Sequence, residues 1–282
     1  MNEILEYAKN NIALFDKGGV SSNETRFFDY GGRKYVLKTP LMGGDRLSPF
    51  WQMMKNVFNF TFEVQNRHMN DVCSLLKDNP HIPVPALEAA DADAAVYEFI
   101  EGKAWDEDEF PKGTDNAFKL GRYIGCNHRT AHAACGILGI EDVPCIFDAA
   151  KKHMEQCITR YWNSSNEIDR QVRNRFEFLA TQHFTSSKYS LIMVDNCADQ
   201  FLFNGDEIKA CIDLDAYVIG PVEWELTFMR LQVGDWDRFK AGYETYQPLP
   251  DIGSTAGFFR FIMALNAYRN KNEMASVLAS EK

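Results

Sequence analysis

Two aspartates, Asp195 and Asp213, flank a segment that reads as a β-hairpin, QFLFNGDEIKACI. Gln200–Phe203 is a short apolar run, Asn204-Gly205 reads as a two-residue turn, and Ile208, Ala210 and Ile212 alternate on the return strand. Asn and Gly both tolerate the positive φ that a type I′ turn needs. A tight turn folds the chain back, so the two carboxylates are expected close together at one end of the hairpin. Like charges so placed are costly unless a cation or a reacting proton offsets their repulsion. The chemistry suggested is metal binding or proton transfer at one site, with Asp215, two residues beyond Asp213, as an auxiliary candidate.

The spacing resembles the catalytic loop and metal-binding segment of the aminoglycoside phosphotransferase family, small-molecule kinases with a protein-kinase-like fold. Members usually read H-G-D-x-x-x-x-N, a short hairpin, then I-D-W/F. This chain has Met193-Val194-Asp195, Gln200 where Asn is usual, and Ile212-Asp213. Gly220–Leu226 is similar to the family's G-D-P-x-x-D-L, with Glu225 in the last acidic place. The resemblance runs from Gly18 to about Phe228 and implies an α+β, bilobal fold. Residues 1–100 would form an N-lobe of antiparallel sheet and helices, and residues 101–282 a larger, mostly helical C-lobe. It further implies ATP or GTP as co-substrate and Mg²⁺ held by Asp213 and Gln200. Asp195 would orient an acceptor hydroxyl and accept its proton. The acceptor class implied is a small hydroxylated molecule: an aminoglycoside-like compound, an amino alcohol or a sugar.

The elements that would position these groups are legible upstream. Arg26–Tyr30 and Arg33–Lys38 read as strands around a Gly31-Gly32 turn. Gly18-Gly19 with Ser21, Ser22 and Asn23 reads as a small-residue loop whose backbone N–H groups could approach phosphate oxygens. Lys38 ends a strand on which Tyr35 and Leu37 face the other side, and in the kinase arrangement it contacts the α- and β-phosphates. Leu47–Lys77 is long enough for two helices and opens with the N-cap pair Ser48-Pro49. Kinases place an acid here to hold the lysine; Glu63 is the candidate and Asp71 the competitor. Ala94–Ile100 reads as a strand and, by the resemblance, a hinge where the backbone of Glu98 and Ile100 would bond the adenine. Asn116–Ala134 follows a helical period; His128 and His132 lie four apart, but no third ligand stands nearby, so His128 reads as structural rather than metal-binding. Trp105–Phe110 is a dense acidic cluster, either a solvated loop or one wall of a pocket for an amine-bearing substrate. Further helices are expected over 147–183 and from Trp224 onward.

Composition narrows the classes. The 282 residues are 45% apolar, ample for a globular core. A net charge of −10 disfavours nucleic acid as a partner and is compatible with a cationic substrate. Seven cysteines without a C-x-x-C pair argue against a disulfide framework or zinc site and for a reducing cytoplasm. No signal peptide or membrane-spanning run is evident. A nucleotide-binding or ligand-sensing protein without transferase activity is the alternative, motivated by Met193, Val194 and Gln200. A protein kinase is disfavoured because Ile212-Asp213-Leu214-Asp215 is not D-F-G and no A-P-E segment follows.

Overall fold

The structure, a computed structural model, describes residues 2–20, 22–41, 47–105, 110–111, 115–267 and 271–280. An antiparallel sheet comes first, built from β1 (Asp16–Val20), β2 (Asn23–Tyr30), β3 (Arg33–Pro40), β4 (Leu87–Ala90) and β5 (Ala95–Glu98) in the order β1-β2-β3-β5-β4. Gly31 and Gly32 take φ of +59° and +77°, so Tyr30 pairs with Arg33 across the turn expected from the sequence. The small-residue loop is shorter than expected. Asp16–Val20 is an edge strand on β2, with an irregularity between Lys17 and Val20. Gly18 owes its small size to packing: a Cβ there would lie 2.9 Å from the Phe27 ring.

Strand alternation decides what the sheet shows to each side. Tyr35, Leu37, Phe28 and Val96 meet Ile4, Leu5 and Ala8 of α1 (Glu3–Asn11) on one face. Val36 and Lys38 point the other way, into a cleft. The region 47–77 forms two helices, α2 (Pro49–Phe58) and α3 (Phe62–Lys77). Ser48 caps α2, its Oγ accepting from the Trp51 N–H at 3.4 Å; Asn59, at φ +53°, ends it. Although α2 lies early in the chain, its Trp51, Met54 and Phe58 share a core with α5 (Ile146–Tyr161), α6 (Glu167–Thr181) and α9 (Gly253–Ala267). A second core joins α3 to α4 (Asn116–Asn127), α7 (Val222–Gln232) and α8 (Trp236–Tyr243). The helix expected to run to Ala134 therefore stops at Asn127; His132 instead bonds the Tyr189 carbonyl through its backbone N–H, at 2.9 Å. The last described helix is α10 (Lys271–Ser280). Among the described residues no helix is long and apolar enough to cross a membrane.

Two small sheets sit between these layers. β7 (Tyr189–Met193) pairs with β10 (Tyr217–Pro221), and β6 (Lys103–Ala104), β8 (Phe201–Asn204) and β9 (Glu207–Cys211) form the other. The expected hairpin is present as β8–β9, but its turn is displaced by one residue. Asn204 pairs with Glu207, so the loop is Gly205-Asp206, and of the turn residues Gly205 alone has positive φ, +59°. The strained position falls on the glycine, which adopts it without a steric penalty.

The contact between α4 and α8 depends on two glycines. A Cβ on Gly121 would lie 2.0 Å from the Phe239 carbonyl oxygen, and one on Gly242 would lie 2.2 Å from that of Phe118. These are backbone atoms and cannot rotate away. Gly121→Ala is therefore expected to destabilise the protein by about 1–3 kcal/mol or more, the usual range for overpacking, read as a lower urea midpoint at unchanged slope.

Candidate active site

Two backbone hydrogen bonds assemble the site. The Val194 N–H donates to the Ala216 carbonyl at 3.1 Å, extending the β7–β10 ribbon by one step. The Ile212 N–H donates to the Gln200 carbonyl at 3.0 Å, extending the β8–β9 hairpin. The first holds the loop carrying Asp195 beside the 213–215 segment; the second holds Gln200 beside Asp213. Asp195, Gln200, Asp213 and Asp215 thus line one cavity of about 820 Å³.

From the facing sheet, the Lys38 ammonium reaches Asp213 Oδ1 at 2.8 Å and Asp215 Oδ2 at 3.2 Å. Burial works against its charge, but the two carboxylates outweigh that and raise its pKa. Burial likewise works against an ionised Asp213, yet Lys38 holds that carboxyl below its ordinary value. Asp215 is pushed up to about 7, by burial and by Asp213 against the pull of Lys38. Asp195 is also raised to about 7, first by burial and then by Asp213 and Asp199.

The helix acid expected to hold Lys38 does not do so. Glu63 sits in the first turn of α3, turned to solvent, and pairs with Arg67 at 2.8 Å. Asp71 is equally exposed and lies 3.6 Å from His68. The inward face of α3 carries Gln65, Asn66, Met69, Val72, Cys73 and Leu76. The helical period places both acids on the wrong side.

Beside Lys38 a second cavity, of about 430 Å³, is lined by Asn23, Val36, Tyr97, Glu98, Phe99, Ile100, Leu202, Ile212 and Asp213 among others. It includes the expected hinge strand. Ser22 lies on the wall of the larger cavity, while the Asn23 side chain is committed inward, its Nδ2 donating to Asp215 Oδ2 at 2.5 Å. Asp199, Gln200 and Asp213 line both cavities. The larger one is completed by Phe50, Trp51, Phe228, Met263 and Arg260. Residues 106–109 of the acidic cluster lie outside the described residues.

The loop before Asp195 is anchored without the usual His-Gly. Met193 and Val194 are buried in the cores, and the Met193 N–H donates to Glu225 Oε1 at 3.2 Å. Glu225 Oε2 meets His128 Nε2 at 2.7 Å, and His128 Nδ1 meets the Tyr243 hydroxyl at 3.0 Å. The Asn196 amide donates to the Glu225 carbonyl at 3.0 Å. Glu225 stands in the first turn of α7, where the helix dipole favours a carboxylate. His128 is fully buried and satisfied on both nitrogens, a structural residue as the sequence suggested. Asn196 and Asp199 went unnoticed in the sequence because a short polar side chain in a loop is ambiguous until its partners are known.

The residues present suit a magnesium ion. Among the described residues no group of three or more His, Cys, Asp or Glu is gathered to hold a metal alone. Mg²⁺ is ordinarily held by one or two carboxylates with phosphate and water oxygens. Asp213 faces the cleft, and the Gln200 Nε2 is turned to Asp195 and Asp199, at 3.4 and 3.0 Å, leaving its oxygen on the opposite side of the amide.

An antiparallel sheet carrying a lysine over paired aspartates, beside a helical body with a carboxylate loop, defines a kinase-like phosphotransferase. The model of the phosphotransferase enzyme family matches residues 15–258, and the chain belongs to that family, whose enzymes move phosphoryl groups onto small molecules. No curated protein matches the chain. Solved structures that share the fold include the macrolide 2'-phosphotransferase MphH of Brachybacterium faecium, with TM-score 0.55, 16% identity and coverage of 98% of this chain and 96% of that one. The choline kinase LicA of Streptococcus pneumoniae gives 0.54, 14%, 100% and 92%. APH(2")-IIa, in a ternary complex with streptomycin and ATP, gives 0.56, 15%, 99% and 94%.

Removing one partner of a buried hydrogen bond leaves the other unsatisfied. Glu225→Ala is expected to cost about 2–6 kcal/mol in urea unfolding, about 1–3 for each buried group it strands, namely His128 and the Met193 N–H. The half-buried His132–Glu141 pair, at 3.3 Å, is a control: His132→Ala is expected to change stability by about 1 kcal/mol or less.

Proposed function

We propose that this protein transfers the γ-phosphoryl group of a Mg²⁺-bound nucleoside triphosphate to a hydroxyl of a small molecule. The observation that carries the reading is the junction of the two cavities at Asp199, Gln200 and Asp213, with Lys38 on one side and Asp195 on the other. The smaller cavity suits the nucleotide, its base lying along the Glu98–Ile100 backbone, which acts as the hinge between sheet and helical body. The larger suits the acceptor. Phe50, Trp51, Phe228 and Met263 favour a molecule with a substantial apolar body, and Asp195 and Asp199 favour a hydroxyl or amine near the reacting end. A solved structure of the same fold that holds streptomycin and ATP together supports a cleft that takes a nucleotide and an acceptor at once.

In such transfers the protein mainly positions groups and neutralises charge. Lys38 fixes phosphate oxygens with its ammonium. Asp195 orients the acceptor hydroxyl and takes its proton as the oxygen bonds to the γ-phosphorus, while the bond to the β-phosphate oxygen breaks and the nucleoside diphosphate leaves. Asp213 and the Gln200 amide oxygen would hold Mg²⁺, which when bound would neutralise charge on the phosphate oxygens. Ser22, on the wall of the larger cavity, would offer its backbone N–H or hydroxyl to the phosphates.

The test is ADP release with Mg²⁺ and ATP or GTP across a panel of amino alcohols, sugars, aminoglycosides and macrolides. Turnover with at least one acceptor is expected. Asp195→Asn is expected to lower kcat by at least 100-fold, within the usual range for a general base, with little change in nucleotide binding. Glu63→Gln is expected to leave both unchanged, because that side chain faces solvent. Turnover that survives Asp195→Asn would remove this residue from the mechanism. Mg²⁺-dependent nucleotide binding without transfer to any acceptor would favour a sensor instead.

A further inference from the structure

We propose that Asp215 is the positioning residue for Lys38, serving in place of the helix glutamate that α3 does not supply. The kinetic consequence of this pairing rests on the phosphotransferase reading above; the pairing itself does not.

Lys38 is mostly buried, with a side-chain exposure of 14%, so its ammonium needs a counter-charge that stays with it whatever occupies the cleft. Two carboxylates contact it, and they face differently. Asp213 is 36% exposed and lines both cavities, where a cation would compete with Lys38 for its oxygens. Asp215 is only 7% exposed, and the oxygen that meets Lys38 also accepts the Asn23 amide at 2.5 Å. It is held from the sheet side by both donors and from its own side by the bond between Val194 and Ala216. No other described acid substitutes: Glu63 and Asp71 point outward. Cys73, on the inward face of α3 near Asp215, stays a neutral thiol, its pKa pushed up to about 12 by burial and by that carboxylate. Were Asp213 engaged by a metal, Asp215 would be the partner left to keep Lys38 aimed at the phosphates. Through Asn23 it also ties the start of β2 to the same point.

The experiment is a double-mutant cycle on the full chain with Asp215→Asn, Lys38→Met and the pair, read two ways. The first reading is urea unfolding without ligand. Coupling is expected, with Asp215→Asn costing clearly less in the Lys38→Met background than alone. The second is the dissociation constant of a fluorescent ATP analogue, titrated at several Mg²⁺ concentrations. Asp215→Asn is expected to weaken binding at least tenfold at saturating Mg²⁺, with no further loss once Lys38 is gone and an unchanged Mg²⁺ midpoint. Additive effects in the unfolding cycle would overturn the proposal. So would a raised Mg²⁺ midpoint with normal affinity at saturation, which would make Asp215 a metal ligand. A wild-type protein that binds no nucleotide would sink the kinase reading, and the unfolding cycle would then decide the pair alone. Should Asp215→Asn fail to fold, Asn23→Ser serves as the second variant: it removes one of the two donors and is expected to weaken binding severalfold, and unchanged binding counts against the proposal.

Discussion

A lysine ammonium between two carboxylates ties distant parts of this chain together. Lys38 lies at the end of β3, and its partners follow β9, 175 and 177 residues later. Neither side could bury its charge alone, because an uncompensated buried ion is strongly destabilising. Together they fix how far the sheet stands from the segment that carries Asp213. The cleft is the space left around that contact. Its two chambers lie on either side of it, and Tyr97 backs it with a hydroxyl that finds no partner among the described residues.

The remaining positioning comes from backbone. Side chains before Asp195 vary from the family pattern, yet the loop is held by two bonds that ignore side-chain identity, Val194 to Ala216 and Ile212 to Gln200, and by the Met193 N–H to the Glu225 carboxylate. This explains how Met193 and Val194 can stand where His and Gly are usual. Their side chains fill the two hydrophobic cores, while the polar work passes to residues on other elements. Glu225 takes the N–H of the strand end, His128 and Tyr243 secure Glu225, and Asn196 ties the following turn to α7. The loop is anchored from below rather than from within.

What could be read in the sequence follows the range of each signal. Local signals held: the Gly31-Gly32 turn, the Ser48 cap and the alternation that sends Lys38 away from Tyr35 and Leu37 each need only a few neighbouring residues. The β8–β9 hairpin was legible too, although its turn moved by one residue because positive φ settles on Gly205 rather than Asn204. Signals that depend on tertiary partners failed. β4 is four residues, Leu87–Ala90, with no β-branched side chain, and exists because β5 offers it an edge. Glu63 looked suitable by position along the chain, but a helix presents only one face inward, and that face is set by Met69, Val72 and Leu76. Asp215 stood out in the sequence only as an auxiliary candidate; its contacts with Asn23 and Lys38 could not be read, since those residues come from the far end of the chain.

The charge balance of the cleft explains why these features occur together. Asp195, Asp199, Asp213 and Asp215 line the larger cavity, against Lys38, which contacts two of them, and Arg260 on the same wall, leaving a local excess of acidic groups. Such an excess is relieved by protons or by cations. Burial and like-charge repulsion raise both Asp195 and Asp215 to about 7. On the proposed function a divalent cation would act on the same excess from the cleft side, where Asp213 is exposed, and would arrive with the triphosphate whose charge it also offsets. A site built only to bury Lys38 would need one carboxylate. The three further carboxylates on the wall of the larger cavity fit the proposal that the cleft accepts a metal, a polyanion and a hydroxyl together.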